Sequence, residues 1–502
     1  MNQPLKPTRE PDFNPTPPAT SSSESAPALT RQVGFGSALT LNMINMIGVG
    51  PFITLPLVVA AMGGPQAMLG WILGALIAIC DGMVWAELGA ALPQAGGSYA
   101  FLREIYGREH AGRWISFLYV WQLGFSAPLS IASGCIGLAQ YGAYLWPPLA
   151  GTMARAGAHG WLGSIHFTSV LAAGTCIFVV ALLYRKVRTI ARMAWVLWGG
   201  VLLTIAAVTL AGFRHFRPEL VFAIPPGAFR LNLGFFLGLG SATLITTYDY
   251  WGYYNATFLG AEVRNPGRNI PRAVLFSILI VAGLYLVMNI GVLGVVPWQE
   301  LTSAAQTQGR LAVVAVVMQR TFGVAAARIA AVLVMWTAFA SVFALLLAYS
   351  RVPYAAALDG NYFHDFGRLH PRHRFPHVSL LALGAVTTVF CFFDLSHVIS
   401  ALVTIRIILQ FVLQQVGVVV LRVRQPNLPR PFRIWLYPIP PVLALIGFLF
   451  MLFSRKEASR ELMFAALIAI SGSAIYFGRA WFRREWPFAT VDVTDAAGPH
   501  SK

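Results

Sequence analysis

NMIGVGPFITLPL, residues 45–57, is the stretch on which the fold turns. It lies inside an apolar run from Val33 to Met62. A helix crosses the hydrocarbon core with about 20 apolar residues, so this run is long enough to span a bilayer. Yet Gly48, Gly50 and Pro51 occupy its middle. In a helix interior proline costs about 3 kcal/mol and glycine about 1 kcal/mol. Backbone freed at membrane depth is tolerated only where protein buries it or where it lines a cavity. The breakers therefore predict a polar site inside the membrane.

The rest of the chain supports the membrane setting. Of its 502 residues, 57% are hydrophobic and only 11% are charged, against roughly 25% charged in a soluble globule. Apolar runs of span length recur from end to end, leaving no room for a large soluble domain. Cys80, Cys135, Cys176 and Cys391 all fall in apolar runs without paired or metal-type spacing, which suits small packing residues. Residues 1–30 are rich in Pro, Ser and Thr and have no apolar signal-peptide core, so a disordered tail is expected there. Residues 486–502 form a second tail.

Twelve spans are expected, near 34–61, 67–92, 114–146, 164–184, 190–213, 233–259, 272–297, 325–350, 377–395, 397–421, 434–453 and 462–482. The third is long enough to require a tilt or bend. A short FDLSH turn divides the ninth from the tenth. With the N-terminus inside, most of the 36 Lys and Arg residues fall on the inner loops and tails. That bias places both termini in the cytoplasm. It also explains the net charge of +17 as a topology signal and an attraction to anionic lipid headgroups, not to nucleic acid. The expected setting is the plasma membrane, or the inner membrane in a prokaryote.

A second break answers the first. Span six reads LGSATLITTYDYWGYYNATFLGAEV, with Asp249, Gly252 and the aromatics Tyr248, Tyr250, Trp251, Tyr253 and Tyr254 at its centre. Breaks in the first and sixth spans are the pattern of five spans repeated in inverted topology. The expected architecture is all-α and polytopic, with about 12 helices in a 5+5 inverted repeat and two accessory helices. The transporter domain would run over 31–485, divided into 31–213, 230–421 and 432–485. A restarted helix offers free N–H groups and a partial positive charge that suit a carboxylate. The carbonyls ending the other half suit an ammonium or a cation. Gly and Pro are also common in ordinary membrane helices, so one cluster alone would read equally well as a kink.

Ionisable residues inside spans are functional candidates by default. Asp249 sits at the second break, to meet a substrate ammonium, carry a proton, or hold the break open. Arg406, in VTIRIILQF of span ten, faces Asp249, Asp81 or a substrate carboxylate, or else snorkels to the outer interface. Asp81 in span two is a relay carboxylate or a packing anchor. Glu87 reads as a structural partner for loop arginines. Asn42 and Asn45 lie one turn apart on the first half-helix, with Asn45 nearer the break. Trp336 is a candidate to face the cavity or to pack. The histidines of LHPRHRFPH (369–377) have no zinc spacing and read as a basic loop.

Four stretches carry a resemblance. They are IGVGPF (47–52), AELGAALPQAGGSYAFLREIYG (86–107), GAEVRNPGRNIPRAV (260–274) and SRVPYAAALDGNYFHDFGRLHPRHRFPHVSL (350–380). Together they resemble the signatures of the amino acid–polyamine–organocation superfamily of transporters. The resemblance implies a proton- or sodium-coupled permease or an exchanger for amino acids or related amines, working by alternating access, with protons favoured over sodium and the coupling ion left open. It implies that Ile47, Gly48, Val49 and Gly50, with Asn45 beside them, bind substrate. Tyr250, Trp251, Gly252 and Tyr253 would complete the site and close over it. Asp249, Asp81 and Arg406 are the coupling or charge candidates. Thr54 and Leu55 stand where a polyamine subgroup has acidic residues, which points away from polyamines. Span five lacks the lysine that replaces sodium in some members. No cofactor, metal or catalytic residue is expected, and a homodimer through the accessory helices is left open. The alternatives are a polyamine or cationic amino acid carrier and a transporter-like sensor without flux.

Overall fold

The computed structural model describes residues 29–154, 165–185, 187–306, 313–393, 403–455 and 458–488. The chain is built almost wholly of helices. In the first half these are α1 (Phe35–Met46), α2 (Gly50–Met62), α3 (Met68–Ala91), α4 (Ser98–Tyr106), α5 (Ala111–Leu145), α6 (Phe167–Leu183) and α7 (Val187–Arg214). Then come the short α8 (Pro218–Val221), α9 (Leu233–Tyr250), α10 (Asn255–Phe258), α11 (Pro266–Leu293), α12 (Trp298–Gln306), α13 (Val313–Phe322), α14 (Val324–Tyr349), α15 (Arg351–Leu358) and α16 (His377–Phe390). A π-helical turn, Ile407–Val412, leads into α17 (Leu413–Arg424), followed by α18 (Ile439–Phe453) and α19 (Ala458–Arg483). Thr152–Ala154 pairs with Ile165–His166 as a short antiparallel ribbon.

Among the described residues seven helices are long and apolar enough to cross a bilayer, and the bent pair α1–α2 makes eight. This is an all-α polytopic membrane protein. The other expected spans also meet helices, with weaker signals. Helices α6, α16 and α18 are apolar but shorter, at 17, 14 and 15 residues. Helix α9 stops at the second break. Apolar α13 adds a 10-residue helix ahead of the eighth span that the sequence pattern did not separate. The division between spans nine and ten falls largely on 394–402, outside the described residues, as do residues 1–28 and 489–502 of the two tails.

The breaks sit in the core because their neighbours allow close approach. Helix α3 packs against α9 and α11, and α5 against α14. Along α3 small residues face α9. A Cβ added at Gly70 would lie 2.9 Å from the Ala242 Cβ, and one at Gly74 would lie 2.6 Å from Thr246 Oγ1. Small residues are what let membrane helices pack without a hydrophobic driving force between them. Helix α5 runs for 35 residues and contains Pro128.

The signature stretches meet at one end of the bundle. Glu262 of GAEV pairs with Arg351 of SRVPY at 2.8 Å, both side chains buried. Arg103 of YAFLREIYG pairs with Asp359 of AALDG. Glu87 accepts from Arg422 at 2.5 Å and lies 3.5 Å from Arg430, the structural role expected for it. All four cysteines are buried thiols.

Candidate functional site

The first helix ends at Met46 because Ile47 leaves the helical region, at φ −92° and ψ 75°. The chain turns through Gly48 and Val49 and restarts at Gly50, bent by 46°. Pro51 is the second residue of the new helix, where its missing N–H costs nothing because first-turn donors have no intrahelical partner. The second break opens at Trp251, which is extended at ψ 138°. Gly252 follows at φ +128°, and α10 resumes for four residues only.

The two breaks touch. A Cβ built on Gly252 would lie 2.8 Å from the Met46 nitrogen, 2.9 Å from the Asn45 carbonyl carbon and 3.0 Å from the Asn45 Cβ. Glycine is required there twice over, by its positive φ and by this approach. Around the first break, Gly48 faces Ser341 Oγ of α14, which a Cβ would meet at 2.9 Å. Val49 packs on Gly137 of α5, and Ile47 is fully buried.

Polar side chains tie the freed backbone. Asn42 Oδ1 accepts from the Ala256 N–H at 2.8 Å, and its Nδ2 donates to the Tyr253 carbonyl at 2.5 Å. Asn255 reciprocates, donating to the Leu41 carbonyl at 3.3 Å. Tyr285 of α11 reaches the carbonyls ending both half-helices, Met46 at 2.7 Å and Asp249 at 3.3 Å. These contacts answer the demand that buried backbone groups be paired. The sequence pattern favours Asn45 over Asn42 and gives no sign of Tyr285. A tyrosine in an apolar run carries no local sign that it will meet two helix ends. Asn45 itself lies at the contact with Gly252.

Asp249 Oδ2 accepts from Thr54 at 2.5 Å. Its Oδ1 is turned toward Gly50, where an added Cβ would collide with it, and has no hydrogen-bond partner among the described residues. The carboxylate thus lies against the first turn of α2 and joins the two broken helices. Thr54, read as a departure from the polyamine pattern, is its partner.

Arg406 does not snorkel. It is 4% exposed, and no carboxylate lies within ion-pair distance among the described residues. It donates to the hydroxyls of Tyr254, at 2.6 Å, and of Tyr349, and to Gln410 Oε1 at 3.1 Å. Its guanidinium carbon lies 5.0 Å from the centre of the Trp251 ring, a geometry that attracts a cation to the indole face. Trp251 in turn stacks on Phe411 at 4.8 Å. Beside Arg406 is a small cavity lined by Ser126, Ser130 and Ser133 of α5, with Tyr248 and Val403.

Other candidates face away from the breaks. The Tyr250 hydroxyl donates to the Trp71 carbonyl at 3.3 Å. The Tyr253 hydroxyl donates to Asp81 Oδ2, whose other oxygen accepts from Gln415. Trp336 docks on α7, donating to the Leu197 carbonyl at 3.1 Å. His370, His373 and His377 cluster with Phe375, and no metal-type group occurs among the described residues.

Over residues 34–473 the sequence matches the family model described as amino acid permease. The chain belongs to that family. It is 25% identical over 459 residues to the serine/threonine exchanger SteT of Bacillus subtilis, covering 90% of this chain and 97% of that protein. The branched-chain amino acid permease BcaP of the same organism is 25% identical, over 85% of this chain and 88% of its own. The human Asc-type amino acid transporter 1 is 26% identical, over 91% and 83%. This permease is therefore a multi-pass membrane transporter of amino acids and not an enzyme, and its two breaks lie within the matched region.

Proposed function

We propose that the permease is a secondary active transporter that binds its amino acid at the two breaks and exposes it alternately to either side of the plasma membrane. The observation that carries this is the contact of Gly252 with Asn45 and Met46, which brings two interrupted helices together in the core. Freed N–H groups at Gly50 and Val49 suit the α-carboxylate, and Asp249 with the nearby carbonyls suits the ammonium. Trp251 closes over the site. Residues 31–213 and 230–421 form the two inverted repeats, 432–485 the accessory helices, and both termini are cytoplasmic. Coupling is to protons.

Arg406 supports a carboxylate-bearing substrate against a polyamine. A buried cation beside the site repels a dication, since like charges at close range in a low-dielectric interior repel by several kcal/mol. Pure exchange is the second reading, favoured by the match over nearly the full length to a serine/threonine exchanger.

The test is uptake by proteoliposomes of labelled neutral, acidic and basic amino acids, putrescine and spermidine, with and without an inward proton gradient. Gradient-stimulated uptake of amino acids is expected, with no uptake of polyamines. Arg406→Gln is expected to lower amino acid uptake about tenfold or more, because charge-assisted hydrogen bonds are worth about 1.5–3 kcal/mol. Uptake of polyamines alone would overturn the reading, and uptake only against internal amino acid would establish exchange.

A further inference from the structure

Span ten carries a buried polar face. Arg406, Gln410, Gln414 and Gln415 are all buried, and their spacing lines them along one helix side. The π-helical turn Ile407–Val412 runs through them, and such turns gather at functional sites. Several of their atoms are unanswered. Gln410 Nε2, Gln415 Oε1 and both polar atoms of Gln414 are buried without a hydrogen-bond partner among the described residues.

This row ends at Asp81, which is fully buried on α3. Its two oxygens accept from the Tyr253 hydroxyl and the Gln415 amide. Among the described residues no Lys, Arg or His lies within ion-pair distance of it. The titratable groups facing it are Tyr253 and Tyr254 from the second break and Cys80 on its own helix. From α11 the neighbours around Gly82 are the apolar Ile278 and Val274. Around Ile77, one turn away, α18 presents Gly447. The nearest buried cation, Arg406, has its donors on Tyr254, Tyr349 and Gln410.

A carboxylate buried without a cation is costly and is neutralised by taking a proton. The surroundings of Asp81 suit both forms. As the anion it accepts from two donors. As the neutral acid it needs one acceptor, and the free Oε1 of Gln415 supplies it when the amide turns over about its last torsion, which is a soft two-fold one. Asp81 also differs from Asp249 in what it joins. Asp249 ties the two broken helices to each other, whereas Asp81 ties the second break to span ten.

We propose that Asp81 is the proton-binding carboxylate of this permease, and that the turn of the Gln415 amide conveys its protonation to span ten. The proton enters as H⁺ and converts the carboxylate to the acid, with no other bond changed. The proposal rests on the amino acid transport reading above.

The full-length protein in lipid vesicles gives two independent readouts. One is the infrared difference between acid and neutral pH, which reports a protonated carboxyl directly and needs no substrate. The other is the pH profile of uptake of labelled serine, leucine and glutamate. In Asp81→Asn a carboxyl band is expected to disappear and the pH profile to flatten. Gln415→Leu removes both the donor to the anion and the acceptor to the acid; the bond to the anion is the stronger of the two, so the midpoint of the profile moves up by about one pH unit. This variant also serves if Asp81→Asn fails to fold. An unchanged band and profile in Asp81→Asn, or an unmoved midpoint in Gln415→Leu, overturns the proposal. A pH-flat exchange of amino acids by the unmodified protein also overturns it and leaves transport standing. No uptake or exchange of any amino acid, with the band still lost in Asp81→Asn, overturns the transport reading and leaves the proton site.

Discussion

Gly252→Val is expected to lower amino acid uptake about 10- to 100-fold while the protein still inserts. Two effects act together. The residue holds φ +128°, a conformation that strains any side chain by roughly 1–3 kcal/mol. Its Cβ would also lie within 2.8–3.0 Å of the Asn45–Met46 segment, so one broken helix must move off the other. Every 1.4 kcal/mol is tenfold in an equilibrium, and the strain alone reaches the stated range. Insertion is spared because valine is apolar and the spans on either side are untouched. The check is uptake normalised to membrane-inserted protein, with Gly252→Ala as an intermediate case. Uptake by the valine variant at the unmodified level would mean that contact between the breaks does not form the site.

Glu262→Gln is expected to destabilise the permease by about 3–5 kcal/mol, the usual loss when one member of a buried ion pair is removed. Glu262 and Arg351 are both buried and meet at 2.8 Å. Arg351 also donates to the Leu347 carbonyl at 2.9 Å and to Ser350 at 3.0 Å, but those contacts leave its charge uncompensated. The Glu262 carbonyl accepts from the N–H groups of Gln32 and Val33 at 2.8 and 2.9 Å, so this pair also anchors the segment leading into the first span. Thermal unfolding in detergent measures the loss. The double variant Glu262→Met with Arg351→Met should recover most of it, because an apolar pair of similar volume replaces a buried ion pair at little cost. Equal melting of Glu262→Gln and the unmodified protein would mean that the pair carries no net stability.

The breaks were legible from Gly48, Gly50, Pro51 and Gly252, because helix breaking is a property of the residue itself. The long spans were legible too, since hydropathy over about 20 residues suffices to predict them. The shorter helices α6, α16 and α18 lie within the expected spans 164–184, 377–395 and 434–453, because their apolar runs mark the position of a span even where the helix is shorter than a full crossing. Glu87 read correctly as a partner for loop arginines, because an acid at the end of a span beside basic loops has few other options.

The sequence by itself determined that this is a helical membrane protein with two interrupted spans, because periodicity, hydropathy and backbone preference are local. Only the tertiary structure decided who meets whom. It gave Asn42 rather than Asn45 the tie to the second break, set Tyr285 on two helix ends, and brought Thr54 to Asp249. It also left Arg406 among aromatic rings, without a carboxylate in ion-pair reach among the described residues, and placed Asp81 between Tyr253 and Gln415. These partners lie up to 334 positions apart in the chain. Their pairing depends on how helices pack side by side, which no local pattern of residues encodes.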